Sequence, residues 1–195
     1  MRAKWIVFLV AAVLIIGVPL FFYFQPNIRH LELTDRDHVF LGPRGSHITD
    51  LFEFDSNLYR VSVHHYASGH LVMEEEVGVF GGYDGSLLAF TLEFNEYETE
   101  HARLISRTSN GYLGIPIYFD FESASVTSWP FSAATGSTFR VDTVSREVIA
   151  MYELSTSDTH FSVNLPNITI DLDLEFMRHF DMVDHAIFIS VERVE

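Results

Sequence analysis

Two histidines, a tyrosine and a glutamate sit close enough along the chain to converge: His64, Tyr66, His70 and Glu74. A reverse turn at Ala67-Ser68-Gly69 pairs Tyr66 with His70 and His64 with Val72. Paired residues, and residues two apart on a strand, share a face, so all four side chains fall on one side of a hairpin. Two imidazoles and a carboxylate suit zinc or another transition metal, which makes His64, His70 and Glu74 the candidate metal ligands. The ordinary alternatives are a polar hairpin face, or a patch that gains charge near pH 6. A one-residue change of register would scatter the group.

Carboxylates form a second set. Glu96-x-Glu98-x-Glu100 and Asp171-x-Asp173-x-Glu175 each put three acids on one side of an extended segment. Calcium needs oxygens that converge from a folded loop, and neither run has the glycine and spacing of an EF-hand. Asp84 and Asp120, near turns, suit calcium better. Pairs of acids could also serve a glycosidase at separations of about 5–9 Å. With 27 acids in the chain, chance alone supplies such pairs. Nucleophile motifs are missing: the sequence has no Gly-x-Ser-x-Gly elbow, no Ser-x-x-Lys, no phosphate loop and no dinucleotide fingerprint. A dispersed serine–histidine–acid site has no local signature to find.

Aromatic residues could stack on a sugar ring. Trp129-Pro130-Phe131, Tyr112, Tyr118 and Tyr83 are the candidates, with Trp129 and Tyr112 foremost as ligand-binding residues. Trp129 beside Pro130 and Phe131 suits core packing equally well. Asn167-Ile168-Thr169 is a glycosylation sequon, meaningful only in a eukaryotic host.

The elements that must position these residues read in period two. Tyr59, Val61, Val63 and His65 share one face. Leu88, Phe90, Leu92 and Phe94 alternate with Ala89, Thr91, Glu93 and Asn95. Ile115, Ile117, Phe119 and Phe121 form a third set, and Ile168 to Phe176 a fourth. Shorter cases are Phe139 with Val141, Val148 with Ala150 and Tyr152, Phe161 with Val163 and Leu165, and Ile187 with Ile189 and Val191. Turn residues separate them, as in Gly81-Gly82-Tyr83-Asp84-Gly85 and Ser109-Asn110-Gly111. Many short strands with one wet and one dry face predict an all-β, two-layer antiparallel β-sandwich, jelly-roll-like or immunoglobulin-like. The only helical hint beyond the N-terminus is Phe176, Met177, Phe180 and Val183.

The N-terminus sets the address. Arg2 and Lys4 precede a run of 20 uncharged residues, Trp5 to Phe24, of which 14 are Leu, Ile, Val or Phe. At about 1.5 Å per residue this run spans a hydrocarbon core of roughly 30 Å. Those side chains favour insertion by roughly 4 to 8 kcal/mol before Gly17 and Pro19 are subtracted. The run ends in bulky Leu20-Phe-Phe-Tyr-Phe24, where a signal peptidase needs small residues. The expectation is one uncleaved transmembrane helix, anchored at its ends by Trp5 and Phe24. Its cations hold the N-terminus in the cytoplasm and leave the body outside the cell membrane. Residues 1–25 are then cytoplasmic N-terminus and signal-anchor, 26–45 a stalk and first strand, and 46–195 the extracytoplasmic sandwich.

Beyond residue 25 the chain holds all 27 acids and ten arginines but no lysine, a net charge of −17. Such a surface repels nucleic acid and anionic lipid headgroups. There is no cysteine, so thiol catalysis and thiolate metal sites are excluded. A body of this size folds without disulfides or a metal. The function expected is a non-enzymatic binding or assembly module of the cell envelope. Its partners are the lipid bilayer through residues 5–24 and an envelope protein or glycan, and it needs no cofactor. A carbohydrate-binding module, a hydrolase with a dispersed site and a calcium- or zinc-dependent surface module are the alternatives.

Overall fold

The computed structural model describes residues 13–18, 25–32, 47–94, 101–108, 111–118, 127–132, 138–155 and 185–194. They form eleven strands: β1 (Ile28–Leu31), β2 (His47–Phe54), β3 (Leu58–Ala67), β4 (His70–Gly81), β5 (Ser86–Phe94), β6 (His101–Thr108), β7 (Gly111–Tyr118), β8 (Thr127–Ser132), β9 (Thr138–Phe139), β10 (Glu147–Ser155) and β11 (His185–Val194). The strands make two antiparallel sheets, in the orders β7-β6-β5-β2-β1-β9 and β4-β3-β11-β10-β8. This is the two-layer all-β architecture that period-two patterning predicts. The Ile168–Phe176 and Phe161–Leu165 alternations, the Phe176–Val183 helical hint, both acidic triplets, Asp120 and the Asn167 sequon lie outside the described residues.

Between the sheets lies one core. Ile28, Phe52, Phe54, Leu88, Phe90, Leu92, Leu104, Ile115 and Phe139 face inward from the six-stranded sheet. Tyr59, Val61, Val63, Tyr152, Ile187, Ile189 and Val191 meet them from the other. Phe52 packs against both Phe90 and Phe139, with ring centroids 6.2 Å apart in each case and edge-on geometry that suits the ring quadrupoles.

β11 joins β3 to β10 and is buried on both faces from His185 to Val191. Ala89 and Thr91, the outward partners of the Leu88–Leu92 set, are buried too. Simple alternation makes such positions solvent-facing. The reverse holds for β4, an edge strand with most of its residues exposed. Among the described residues the first strand is Ile28–Leu31, whose Ile28 is fully buried.

The β3–β4 hairpin corrects the expected register. Ser68 and Gly69, with φ of 46° and 76°, make a two-residue turn of the kind whose twist matches antiparallel strands. Ala67 therefore pairs with His70, and Tyr66 with Leu71; a bulge follows, after which His64 pairs with Glu74. His70 shares a face with Ala67, the opposite side of the strand from His64 and Glu74.

Near the N-terminus, Val13–Gly17 is a short π-helical segment with no buried residue. Among the described residues no helix is long and apolar enough to cross a membrane. Most of the Trp5–Phe24 run, including both end residues, lies outside the described residues.

Candidate functional site

Two polar constellations stand out against the apolar core. The first is sealed inside. Alternation along β1 and β2 puts His30 beside Ile28 and Asp50 beside Phe52 on the inward face, where apolar residues belong. The Asp50 carboxylate accepts a hydrogen bond from the Tyr152 hydroxyl, 2.7 Å away on the opposite sheet. Its other oxygen lies 2.9 Å from His30 Nε2. Burial and the neighbouring Asp50 charge push the Tyr152 hydroxyl well above its usual range. It therefore stays protonated and keeps donating. His30 Nδ1 is buried without a hydrogen-bond partner. An imidazole on a carboxylate is the pairing of a general base, but a base must reach its substrate. Closed off from solvent, this group acts as a polar bridge between the sheets.

His65 lies in the same cross-strand row as Tyr152, on the far side of β11, and its Nε2 is 3.0 Å from His185 Nδ1, with ring centroids separated by 5.2 Å. Burial, reinforced by His185, lowers the His65 pKa to about 4. A neutral pair can share one proton across this contact, whereas a charged one would be desolvated and repelled.

The second constellation is open. A cleft of about 760 Å³ lies at the end of the sandwich where Gln25 enters β1. Its lining includes Arg29, Arg140 and Arg193 together with Glu53, Asp55, Asp84 and Asp142. Its walls are locked by side chains. Asn27 Nδ2 donates to the Val141 carbonyl at 3.0 Å while its Oδ1 accepts from the Val141 amide at 2.8 Å. Asp55 accepts from the Asn57 amide (2.9 Å), Asn57 Nδ2 (2.6 Å) and the Tyr59 hydroxyl (2.8 Å). Arg193 donates to Asn57 Oδ1 at 2.6 Å. Tyr59 is held above its usual pKa range by burial and by its bond to Asp55.

On the far wall, Asp142 accepts from the amides of Val144 and Ser145, each at 2.9 Å. Those two bonds pull its pKa below the ordinary carboxylate range. Arg29 and Glu53 pair across β1 and β2. The result is an open cleft braced by side-chain hydrogen bonds and carrying charges of both signs, suited to binding a polar group by complementarity.

The sequence-predicted metal ligands do not converge. His64 Nε2 bonds Ser190 Oγ at 2.8 Å, and its Nδ1 lies 3.9 Å from Glu74. Glu74 is ion-paired with Arg146 at 2.8 Å, and Arg146 also reaches Glu192 at 3.3 Å. Arg60 joins Glu76 at 3.3 Å and contacts Glu192 as well, completing a surface network. His70 stands apart on the other face. Among the described residues no group of three or more histidines or acids could hold a metal ion.

Tyr112 and Trp129 belong to β7 and β8, edge strands of different sheets, and their side chains lie outside the described residues. Of the other aromatic candidates, Tyr83 is exposed on the β4–β5 turn.

Sequence reasoning did not single out His30, Asp50 or Tyr152. The signal was available: a charged or imidazole side chain in phase with Ile28 and with Phe52-x-Phe54. The cleft had no such signal, because it is built by turns from four separate places in the chain. Compared with known proteins, the chain matches no family model, no curated protein and no solved structure.

Proposed function

We propose that the chain is a membrane-tethered extracytoplasmic β-sandwich that works as a non-enzymatic binding or assembly module, with the cleft beside Gln25 as its binding site. The observation that carries this reading is the cleft itself. Its walls are fixed before any ligand arrives, by Asn27 on one side, Asp55 and Arg193 in the middle and Asp142 on the other. Preorganised polar groups of both signs lower the ordering cost of binding and give it specificity. The tether is supported by Val13, Leu14, Ile15 and Ile16, four consecutive apolar residues exposed in a helical segment. A helical segment whose described side chains are apolar and exposed suits a lipid environment.

Two measurements test the reading on the full chain in its own membrane. Carbonate extraction should leave it in the pellet, with the body digestible by protease added from outside. A photo-crosslinker at Asp84 or Thr143 in the cleft should then give one discrete adduct that a probe at Leu113 does not give. Recovery in the soluble fraction would refute the tether. The same adducts from both probes would refute the cleft as the binding site.

A further inference from the structure

The chain between the apolar run and the folded domain is very short. The run ends at Phe24, while Asn27 is already fixed: its amide donates to the Phe139 carbonyl at 3.0 Å and its side chain grips Val141. Only Gln25 and Pro26 intervene. Three residue steps span at most about 11 Å. The headgroup layer on one side of a bilayer is itself about 5–7 Å thick. With the run inserted, the sandwich has no stalk on which to stand clear of the lipid.

The end that must face the bilayer carries exposed apolar tips on its turns. Val144, at the crest of the turn held by Asp142, is 90 % exposed. Tyr83 is 57 % exposed, and Leu58 beside it 44 %. Gln25, Asp84 and Val144 line one cleft, so these turns surround the point where the tether enters. Both turns are stiff. Asp142 caps the first, and the Ser86 amide and hydroxyl tie down the Tyr83 carbonyl at 3.3 and 2.6 Å in the second. A tyrosine with an apolar body and a polar tip suits the headgroup boundary.

Building on the tether proposed above, we infer that this end of the sandwich is a bilayer-contact surface: the turns carrying Val144 and Tyr83 enter the headgroup layer and the mixed-charge cleft between them faces zwitterionic phospholipid headgroups. Charge selects the lipid class. A headgroup with a phosphate and an ammonium offers an anion to Arg29 and Arg140 and a cation to Glu53 and Asp84, all of which line the cleft. An anionic headgroup meets a body of charge −17 and is repelled.

Because the chain has no cysteine, single cysteine variants can carry a fluorophore without background. Gln25→Cys, Tyr83→Cys, Val144→Cys and Leu71→Cys of the full chain are labelled and placed in discs of zwitterionic lipid containing a headgroup-depth quencher. Leu71 is exposed at the opposite end of the domain. Quenching at 25, 83 and 144, with unchanged emission at 71, is the expected result. Quenching at 25 alone overturns the contact surface and leaves the tether standing. No quenching at 25 overturns the tether itself. In discs of anionic lipid the quenching at 83 and 144 should weaken while that at 25 persists; equal quenching in both discs overturns the choice of headgroup.

Discussion

Acid should loosen this domain through one residue. Burial and the adjacent His185 lower the His65 pKa to about 4, while an exposed histidine titrates near 6.5. The native state therefore takes up this proton only near pH 4, whereas the unfolded chain binds it below about 6.5. Stability from this site is fully present above pH 6.5 and is lost as the pH falls toward 4. At about 1.36 kcal/mol per unit, the interval accumulates roughly 3 kcal/mol, or a melting shift of roughly 6–12 °C in a chain of this size. Many carboxylates titrate over the lower part of the same range, so the informative quantity is a difference. His65→Gln keeps a side chain that can bond His185 but carries no proton equilibrium. Urea denaturation of both proteins in detergent, from pH 7 to 4, should give the variant a slope shallower by about one proton between pH 4 and 6.5. Parallel slopes would refute the assignment of the acid sensitivity to His65.

Four further outcomes are expected. Asp50→Ala strands the Tyr152 hydroxyl and His30 Nε2 inside the core and should cost about 2–5 kcal/mol by denaturant titration, whereas Asp50→Asn keeps an acceptor and should cost less. Gly81→Ala, at φ +101° and with its added Cβ 2.1 Å from the Asn57 carbonyl, should destabilise by about 3 kcal/mol or more. Gly111→Ala has open space around it and should stay within about 0.5 kcal/mol, as a melting comparison would show. Asn27→Ala removes both bonds to Val141 and should lose about 1–3 kcal/mol, with faster amide exchange at Val141 as the direct readout.

Period-two patterning located the inward faces well where a strand has a single dry side. Tyr59, Val61, Val63 and His65 all face inward and are buried, as are Leu88, Phe90 and Leu92. It failed at both extremes of sheet position. Ala186, Phe188 and Ser190 on β11 are as buried as Ile187 and Ile189, because a central strand can be covered on both sides. Alternation also misses bulges, which shift the phase at Val148/Ala150 and at His65/Tyr66. The hairpin register depended on counting two turn residues rather than three, and the grouping of His64 with His70 went with it. The cleft was illegible for a different reason. Asn27, Asp55, Asp142 and Arg193 become neighbours only through pairings across the whole chain.

The placement of β11 also governs when the molecule can become itself. In the five-stranded sheet β11 lies between β3 and β10, and His64 meets Ser190 across 126 positions of sequence. Closing so long a loop before any pairing rewards it makes folding slow. During synthesis, β3 and β10 must wait with open edges until residues 185–194 emerge, a window in which stray strands could add to them. A chain that cannot complete its second sheet early stays threadable for longer.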